Sequence, residues 1–296
     1  MNYIVFDLEW NQKTRDVAQV TTPLYLTGEI IEIGAVKLDE NFKTVDEFVV
    51  HILPQYYTTM NSRITQLTKI HGNYLKKHGL PFPEAYELFR RWCGEDYGYM
   101  TWSKSDLPML VDNMILHGID ISDLPVTYDI QRIFDYEIMR TNHQYSLDSA
   151  LACLNEKGDT AHDALHDARN TVIVCSHLDL DACLDTYASR AFSEVPLEKE
   201  YCDMNEFLED TSLLRFPCPC GGTVQFSGWV QTHSYSYIAE GQCEDGDEFI
   251  LQLSRHKTGD GHFRVSRLMY EMNDDLWDYY MDKQEQNGLL SPCSAV

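Results

Sequence analysis

The sequence VFDLEWNQ, residues 5–12, runs an apolar strand directly into two acids. Val5 and Phe6 are typical of a buried strand, and Asp7 and Glu9 follow with one residue between them. Alternate side chains of a strand point to the same face, so these two carboxylates would lie side by side and raise each other's pKa. Either two acids stand by chance at a frayed strand end in water, or they bind a divalent metal together with ligands from further along the chain.

The composition indicates a globular protein of one or two domains. The chain has 296 residues, of which 44% are hydrophobic and 12% aromatic. No apolar run approaches the ~20 residues of a membrane helix, and no basic stretch precedes an apolar core at the N-terminus, so we expect neither a membrane partner nor a signal peptide. The nine cysteines show no spacing typical of a small disulfide framework, which favours a reducing, cytoplasmic location.

The charge is strongly acidic but unevenly distributed. A net charge of −24 argues against a protein that coats nucleic acid through a general basic field. Residues 48–83, however, contain no Asp or Glu. The basic residues in this window are Arg63, Lys69, Lys76 and Lys77. They form either a local positive strip for a short anionic substrate or an ordinary solvated surface.

The order of predicted elements favours an α/β domain with a mixed sheet flanked by helices. Strands are predicted at 3–6, 28–38, 44–53 and 97–103, helices at 62–72, 83–94, 105–118, 146–155 and 160–178, and a strand leading into a helix at 127–139. We predict one domain over 1–190, a linker or peripheral helix over 191–212, and a small β-rich C-terminal appendage over 213–296.

Two later segments add polar residues to the first pair of acids. Asp106 follows the strand at 97–103 and opens a helix, where an acid is also an ordinary first-turn residue. His162 and Asp167 stand near the start of the helix at 160–178, which a capping box of Thr160 with Asp163 predicts to begin at Thr160. Five residues are roughly 140° around an ideal helix, so these two side chains converge only if His162 lies in an unwound first turn.

Together these residues resemble the DnaQ-like 3′–5′ exonucleases of the branch with a catalytic histidine (DEDDh). Asp7 and Glu9 match the first motif of that family, Asp-x-Glu at the end of the first strand. Asp106 matches the second motif, and His162 with Asp167 matches the third, His-x₄-Asp. The resemblance covers about residues 1–180 and implies a ribonuclease H-like fold.

A narrower resemblance is to bacterial exonucleases known as inhibitors of the KinA pathway to sporulation. It depends on FDLEWN (residues 6–11) and ITQLTKIHG (residues 64–72). The second stretch is similar to the family's Leu-Thr-Gly-Ile substrate loop, which implies that Leu67, Thr68, Lys69 and Ile70 contact substrate, with Lys69 where Gly is usual. Trp10 and Leu67 would stack on or wedge the terminal bases, or else pack in the core.

The carboxylates suit two Mg²⁺ or Mn²⁺ ions, because hard cations prefer oxygen ligands and paired cations promote phosphodiester hydrolysis. On the resemblance, Asp7 bridges the ions, Glu9 and Asp167 bind the one on the nucleophile side, and Asp106 acts largely through water. His162 would take the proton from the attacking water, since an unperturbed imidazole is largely neutral at about pH 7 to 8. His166, one helical turn later, is the rival base.

Three cysteines of the appendage form a separate pattern. Cys218 and Cys220, in the run CPCGG, and Cys243 are either three ligands of a structural Zn²⁺ or three free thiols. The fourth ligand of a zinc site would then come from His233, His256 or His262.

The resemblance implies a metal-dependent 3′–5′ exonuclease acting on the 3′ end of single-stranded RNA or DNA. The alternative is a regulatory binding module that keeps the fold and works through protein contacts. A third option is an endonuclease with the ribonuclease H fold, which would use acids alone and have no need of His162.

Overall fold

The computed structural model describes residues 1–21, 23–121, 124–141, 143–193, 199–258 and 261–290. The chain divides into two units. The first comprises Met1–Val20, Leu26–Asp120 and Pro125–Ala188; the second comprises Thr21–Tyr25, Ile121–Leu124 and Ser189–Val296.

The first unit is built on a five-stranded mixed sheet in the order β3-β2-β1-β4-β5. The strand that opens the sequence, β1 (Asn2–Asn11), continues through both acids and lies antiparallel to β2 (Glu29–Leu38). β2 in turn pairs antiparallel with β3 (Thr44–His51). On its other side β1 runs parallel to β4 (Tyr97–Thr101), which runs parallel to β5 (Val126–Asp129). The predicted mixed sheet is confirmed.

Helices flank this sheet, as predicted, but two boundaries differ from expectation. Lys69 ends α1 in a left-handed conformation, so the helix predicted over 62–72 is split and Gly72 begins α2 instead of ending a helix. α7 begins at Ala164 rather than at Thr160. The helices are α1 (Ser62–Thr68), α2 (Gly72–His78), α3 (Phe82–Cys93), α4 (Asp106–Leu116), α5 (Ile130–Ile133) with a π-helical continuation (Phe134–Ile138), α6 (Leu147–Leu154), α7 (Ala164–Cys175) and α8 (Leu180–Tyr187).

The two faces of the sheet are covered by different helices. Phe6 packs against Phe89 of α3 and Tyr99 of β4, with ring centroids 6.0 Å and 4.8 Å away. Val5 points the other way, into a buried cluster that includes Val174 of α7. Because side chains alternate along a strand, Asp7 and Glu9 share the face of Val5, which α7 covers.

A glycine in β2 lets α7 approach the sheet closely. Gly34 stands opposite Asp7 in the antiparallel register. A methyl group at Gly34 would lie 2.0 Å from the backbone nitrogen of Leu165 and 2.2 Å from the carbonyl carbon of Ala164. The first turn of α7 therefore rests on the bare backbone of β2, and this contact brings the His162–Asp167 segment next to the acids of β1.

The second unit is an antiparallel sheet in the order β6-β12-β11-β10-β8-β7, with β9 pairing to β10. Its strands are β6 (Ser189–Ser193), β7 (Arg215–Pro217), β8 (Thr223–Phe226), β9 (Val230–His233), β10 (Ser236–Gln242), β11 (Glu248–Lys257) and β12 (Phe263–Glu271). Its helices are α9 (Met204–Glu209), a 3₁₀ turn (Thr211–Leu214) and α10 (Asp274–Asn287). Among the described residues, no helix combines the length and apolar character needed to cross a membrane.

The segment expected to be a linker or peripheral helix, 191–212, contributes to this second unit. β6 pairs with β12, and Phe207 of α9 is fully buried next to Trp229. On another part of the sheet, Leu276 and Tyr280 of α10 pack in a second buried cluster. Residues 194–198 of the expected linker lie outside the described residues.

The Gly34 contact predicts a large effect of one methyl group. Gly34→Ala should lower the free energy of unfolding in urea by at least the roughly 1–3 kcal/mol of an overpacked core, because the clash is with helix backbone rather than with a side chain that can rotate. Gly72→Ala is the matched control, since its methyl group would come no closer than 3.3 Å, to the side chain of Met60. Equal stability of the two variants would contradict the account.

Candidate active site

A hydrogen bond joins the carboxylate of Asp106 to the backbone of β1 between Asp7 and Glu9. Asp106 is the first residue of α4 and only 3% exposed. Its Oδ1 accepts a hydrogen bond from the backbone N–H of Leu8, between Asp7 and Glu9, at 3.2 Å. The start of α4 is thereby held against β1, and the three carboxylates that the sequence separates by about 100 residues lie together.

The turn before α7 brings His162 and Asp167 next to the acid Glu9 of β1. Asp167 lies in the first turn of the helix, and its Oδ2 accepts the backbone N–H of His162 at 2.9 Å. His162 has a φ of +67°, so the chain bends sharply before the helix begins. Atoms of Glu9, His162 and Asp167 that could bind a metal ion (one carboxylate oxygen of each acid and one ring nitrogen of the histidine) all lie within 4.8 Å of one another.

The predicted capping box is wrong, and its replacement explains how His162 and Asp167 converge. Asp163 itself is the N-cap of α7 and accepts the backbone N–H of His166 at 3.1 Å. His162 therefore lies outside the helix altogether, and the 140° separation that would hold within an ideal helix does not apply.

The rival base points to a different partner. Nδ1 of His166 lies 3.2 Å from the carbonyl oxygen of Thr160 and 3.9 Å from Oδ1 of Asp163. His166 thus supports the turn before α7, whereas the ring of His162 joins Glu9 and Asp167.

Glu32 helps to position the start of α7 beside Glu9. The strand pattern of the sequence indicates only that Glu32 belongs to a strand and gives no sign of this role. It stands opposite Glu9 in the β1–β2 register and is 3% exposed. Its Oε2 accepts the backbone N–H of Ala164, the first residue of α7, at 3.1 Å, and its Oε1 lies 3.0 Å from Nε2 of His51. A lone acid inside the apolar run EIIEIGAV was the signal that could have identified it, because a buried carboxylate requires partners.

The carboxylates raise one another's pKa. Burial, followed by the charges of Asp106, Asp167, Glu9 and Glu32, raises the pKa of Asp7 well above its ordinary value. Burial and the same neighbouring acids, Asp167 and Glu32 foremost, raise the pKa of Glu9 to about 8. Burial is also the main cause that raises the pKa of Asp106 to about 7. A cluster of oxygen donors with this much mutual repulsion fits hard divalent cations, which would stabilise the charged forms.

The segment that precedes the predicted substrate loop is held by two buried polar side chains, one at the end of β1 and one at the start of β2. The side chain of Asn11 donates to the carbonyl of Tyr57 at 2.7 Å and accepts the backbone N–H of Asn61 at 2.9 Å. The carboxylate of Glu29 accepts the backbone N–H groups of Tyr56 at 3.0 Å and Tyr57 at 2.7 Å. These bonds fix the segment that leads into α1.

The residues predicted to contact substrate divide into two groups. Leu67 is 40% exposed and Lys69 is exposed, but Ile70 packs with Ile31 and Leu75 in a buried cluster. The Thr68 hydroxyl donates to the carbonyl of Ile64 at 3.0 Å and accepts the backbone N–H of Ile70 at 3.1 Å. The Thr68 and Ile70 side chains are engaged within the protein, and their contact with substrate stays a prediction.

Lys69 has an unusual backbone conformation, and Trp10 packs closely against a glycine. Lys69 has a φ of +61° at the C-cap of α1, the left-handed conformation that Gly adopts without steric cost. Trp10 is half-buried and lies so close to Gly28 that a methyl group there would meet its Cδ1 at 2.4 Å. At least part of the Trp10 ring is engaged in packing.

The cysteines of the second unit also come together. Donor atoms of Cys218, Cys220 and Cys243 lie within 4.8 Å of one another. The suggested histidine ligands do not join them. Cys243 lies in the turn between β10 and β11. His256 is eight residues beyond Glu248, the first residue of β11, and therefore roughly 26 Å from that turn at about 3.3 Å per residue. His233 pairs with Ser236, and His262 precedes Phe263, the partner of Lys257, so both histidines lie at the same distant end.

The family model for exonucleases of the RNase_T type matches residues 4–175. The chain belongs to this exonuclease family. It is therefore a hydrolase acting on phosphodiester bonds, a class in which metal use is typical. No curated protein matches the sequence.

Solved structures share the fold of the first unit. The nuclease domain of 3′hExo, a DEDDh family member bound to rAMP, superposes with a TM-score of 0.52 at 18% identity, over 62% of this chain and 93% of that one. Cell-death related nuclease 4 gives a TM-score of 0.52 at 18% identity, over 69% and 73%. E. coli Exonuclease I in complex with a dA16 oligonucleotide gives 0.50 at 11% identity, over 81% of this chain and 54% of that one.

These similarities confirm the predicted ribonuclease H-like exonuclease fold. The comparisons do not support the narrower resemblance to inhibitors of the KinA pathway, which stays a prediction.

The raised pKa values predict how stability depends on pH when divalent cations are removed. An acid whose pKa is higher in the folded than in the unfolded chain binds more protons when folded, so it destabilises the fold as pH rises. In chelator, stability should therefore fall from about pH 4, where Asp and Glu ionise in the unfolded chain, to about pH 8. Over much of this range Glu9, with a pKa of about 8, and Asp106, with a pKa of about 7, keep their protons only in the folded chain.

Asp7→Asn should flatten this decline and make the chelated protein more stable at pH 8, because it removes one titrating group and its repulsion of the others. Thermal melts across this pH range measure the effect, and Glu95→Gln, at an exposed acid, is the control. A decline in Asp7→Asn as steep as in the wild type would show that the carboxylates do not repel one another as described.

Proposed function

We propose that the chain is a metal-dependent 3′–5′ exonuclease that hydrolyses phosphodiester bonds from the 3′ end of single-stranded RNA or DNA. The observation that carries the proposal is the convergence of Asp7, Glu9, Asp106, His162 and Asp167, which come from β1, α4 and the start of α7. Polarity and substrate draw support from relatives of the same fold whose structures were solved with rAMP and with a dA16 oligonucleotide.

Four carboxylates would hold two Mg²⁺ or Mn²⁺ ions. The donor set is oxygen alone. Burial, followed by the charges of Asp106, Asp167 and Glu9, raises the pKa of Asp7, which supports a role for Asp7 in holding both ions. Glu9 and Asp167, which share a cluster with His162, would bind the ion on the nucleophile side. Such ions, when bound, supply electrostatic stabilisation of the phosphate and the leaving oxygen.

His162 is the residue that would take a proton from the attacking water. Its ring lies within 4.8 Å of carboxylate oxygens of Glu9 and Asp167, and its exposed position leaves it open to solvent. The bond from its backbone N–H to Asp167 holds it at a fixed place relative to that carboxylate. A base must be positioned before its proton affinity matters, and this hydrogen bond provides the positioning.

A strand of nucleic acid needs a positive surface on a protein whose net charge is −24. The acid-free segment 48–83 forms α1 and α2, and its basic side chains are exposed: Arg63, Lys69, Lys76 and Lys77. The neighbouring Leu67, also exposed, is placed to contact a base. These features support binding of a single anionic strand beside the carboxylates.

The proposal is tested with 5′-labelled RNA and DNA oligonucleotides incubated with Mn²⁺. Wild-type protein should shorten a free 3′ end stepwise and leave an oligonucleotide with a blocked 3′ end intact. His162→Ala should lower the rate by roughly 10²–10⁴-fold, the usual range for a positioned general base, while Mn²⁺ binding is kept. His166→Ala, the matched control, should retain most of the activity because that ring bonds Thr160.

Each alternative outcome excludes part of the proposal. Internal cleavage of the blocked substrate would indicate an endonuclease, and no cleavage of any substrate would favour a regulatory binding module. Full activity of His162→Ala together with loss in His166→Ala would show that the base was assigned to the wrong histidine.

A further inference from the structure

Two hairpin turns of the second unit have the same hydrogen-bond pattern around a cysteine. In the turn between β7 and β8, the N–H of Cys218 donates to the carbonyl of Gly222 at 3.0 Å and the N–H of Gly221 donates to the carbonyl of Cys218 at 2.9 Å. In the turn between β10 and β11, Cys243 donates to the carbonyl of Asp247 at 3.0 Å and accepts the N–H of Gly246 at 3.1 Å.

The backbone conformation is also matched. Gly221 and Gly246, each three residues after the cysteine, have φ values of +91° and +94°. Glycine adopts this left-handed region without steric cost, so both turns can tighten around the cysteine. The two turns thus present their first cysteine in the same local geometry.

The sheet brings these turns side by side. β8 pairs with β10 through Gln225 opposite Gln242, so the two hairpins end next to each other. The thiols of Cys218, Cys220 and Cys243 accordingly lie within 4.8 Å of one another, with Cys218 and Cys243 buried. Three thiols from two matched turns form a site rather than a chance encounter on a surface.

The carboxylate of Asp247 lies close to one of the three thiols, although its oxygens are not within 4.8 Å of all three. Oδ2 of Asp247 lies 3.8 Å from Sγ of Cys243. A Zn–S bond of about 2.3 Å and a Zn–O bond of about 2.0–2.2 Å place the sulfur and oxygen ligands about 3.5–3.6 Å apart at the corners of a tetrahedron. The observed spacing is within a few tenths of an ångström of this value.

We propose that Cys218, Cys220, Cys243 and Asp247 bind one structural Zn²⁺ that clamps the ends of the two hairpins. Thiolates select zinc over the hard cations suited to the carboxylates of the first unit. Four protein ligands leave no open position, which is typical of a structural rather than a catalytic zinc site. The site is independent of the proposed exonuclease reaction.

The test uses the whole chain of 296 residues. Zn²⁺ is replaced by Co²⁺, because the absorption spectrum of bound cobalt reports the type of ligand. Metal analysis of protein purified without chelator should give about one equivalent of Zn²⁺. Replacement by Co²⁺ should give the visible bands of tetrahedral cobalt and a thiolate-to-cobalt charge-transfer band in the near ultraviolet. The carboxylate cluster of the first unit contains no sulfur and cannot produce that band, so failure of this proposal is separable from failure of the proposed exonuclease.

Variants identify the ligands. Cys218→Ser should lose the metal and lower the melting temperature, whereas Cys202→Ser, an exposed cysteine of the same unit, should change neither. Asp247→Cys should bind Co²⁺ with a charge-transfer band about one-third more intense, since it adds a fourth thiolate to three. This gain does not depend on Cys218→Ser remaining folded.

Two results would overturn the proposal. Wild-type protein without zinc that also gives no thiolate band with Co²⁺ would show that the three cysteines are free thiols. An unchanged band in Asp247→Cys would show that Asp247 is not the fourth ligand.

Discussion

The candidate site depends on the contact of the first turn of α7 with the backbone of β2 at Gly34. A residue with any side chain would hold the helix away from the sheet, because a methyl group alone would reach within 2.0 Å of Leu165. Gly34 stands opposite Asp7, so the helix lands directly beside the acids of β1. Glu32, two residues earlier in the same strand, then binds the first N–H of the helix. Contact and hydrogen bond together fix where His162 and Asp167 lie.

The same arrangement concentrates negative charge that the fold alone does not compensate. Asp7, Glu9 and Asp106 each have a raised pKa, chiefly because they are buried, and neighbouring acids, Asp167 among them in every case, raise it further. Such a cluster weakens the fold at neutral pH unless cations bind it, since an uncompensated buried charge is unfavourable. The acids therefore lower the stability of the fold in the absence of cations, and their placement favours metal binding. This agrees with membership of an exonuclease family.

Much of the first unit could be predicted because its signals are local. Alternation and apolar runs identified β1 and β2, and the pair Asp7 and Glu9 pointed to a shared face. The predictions that were wrong concern features that depend on contacts between residues distant in sequence or on uncommon backbone conformations. The start of α7 was misplaced because a capping box at Thr160 competed with Asp163, whose side chain is the one that caps the helix. Lys69 ends α1 with a positive φ, which no local rule predicts for lysine.

The roles of Glu32 and the cysteines show the same limit. Glu32 becomes meaningful only when β2 and α7 are in place, 132 residues apart in the chain. The cysteine pair CPC suggested zinc, but Asp247 could be recognised only from the fold of the turn between β10 and β11, which places its carboxylate next to Cys243. The histidines suggested as ligands were excluded by strand register, which composition and spacing do not reveal.

If acids from β1, α4 and α7 form a single site for divalent cations, the number of Mn²⁺ ions that the protein binds should depend on each of them. The electron paramagnetic resonance signal of free Mn²⁺, recorded during titration of the protein with an uncleavable 3′-terminal oligonucleotide, gives the number of ions bound. The account predicts about two for the wild type, and loss of tight binding in Asp7→Asn. Undiminished Mn²⁺ binding by Asp7→Asn, Asp106→Asn and Asp167→Asn would contradict it.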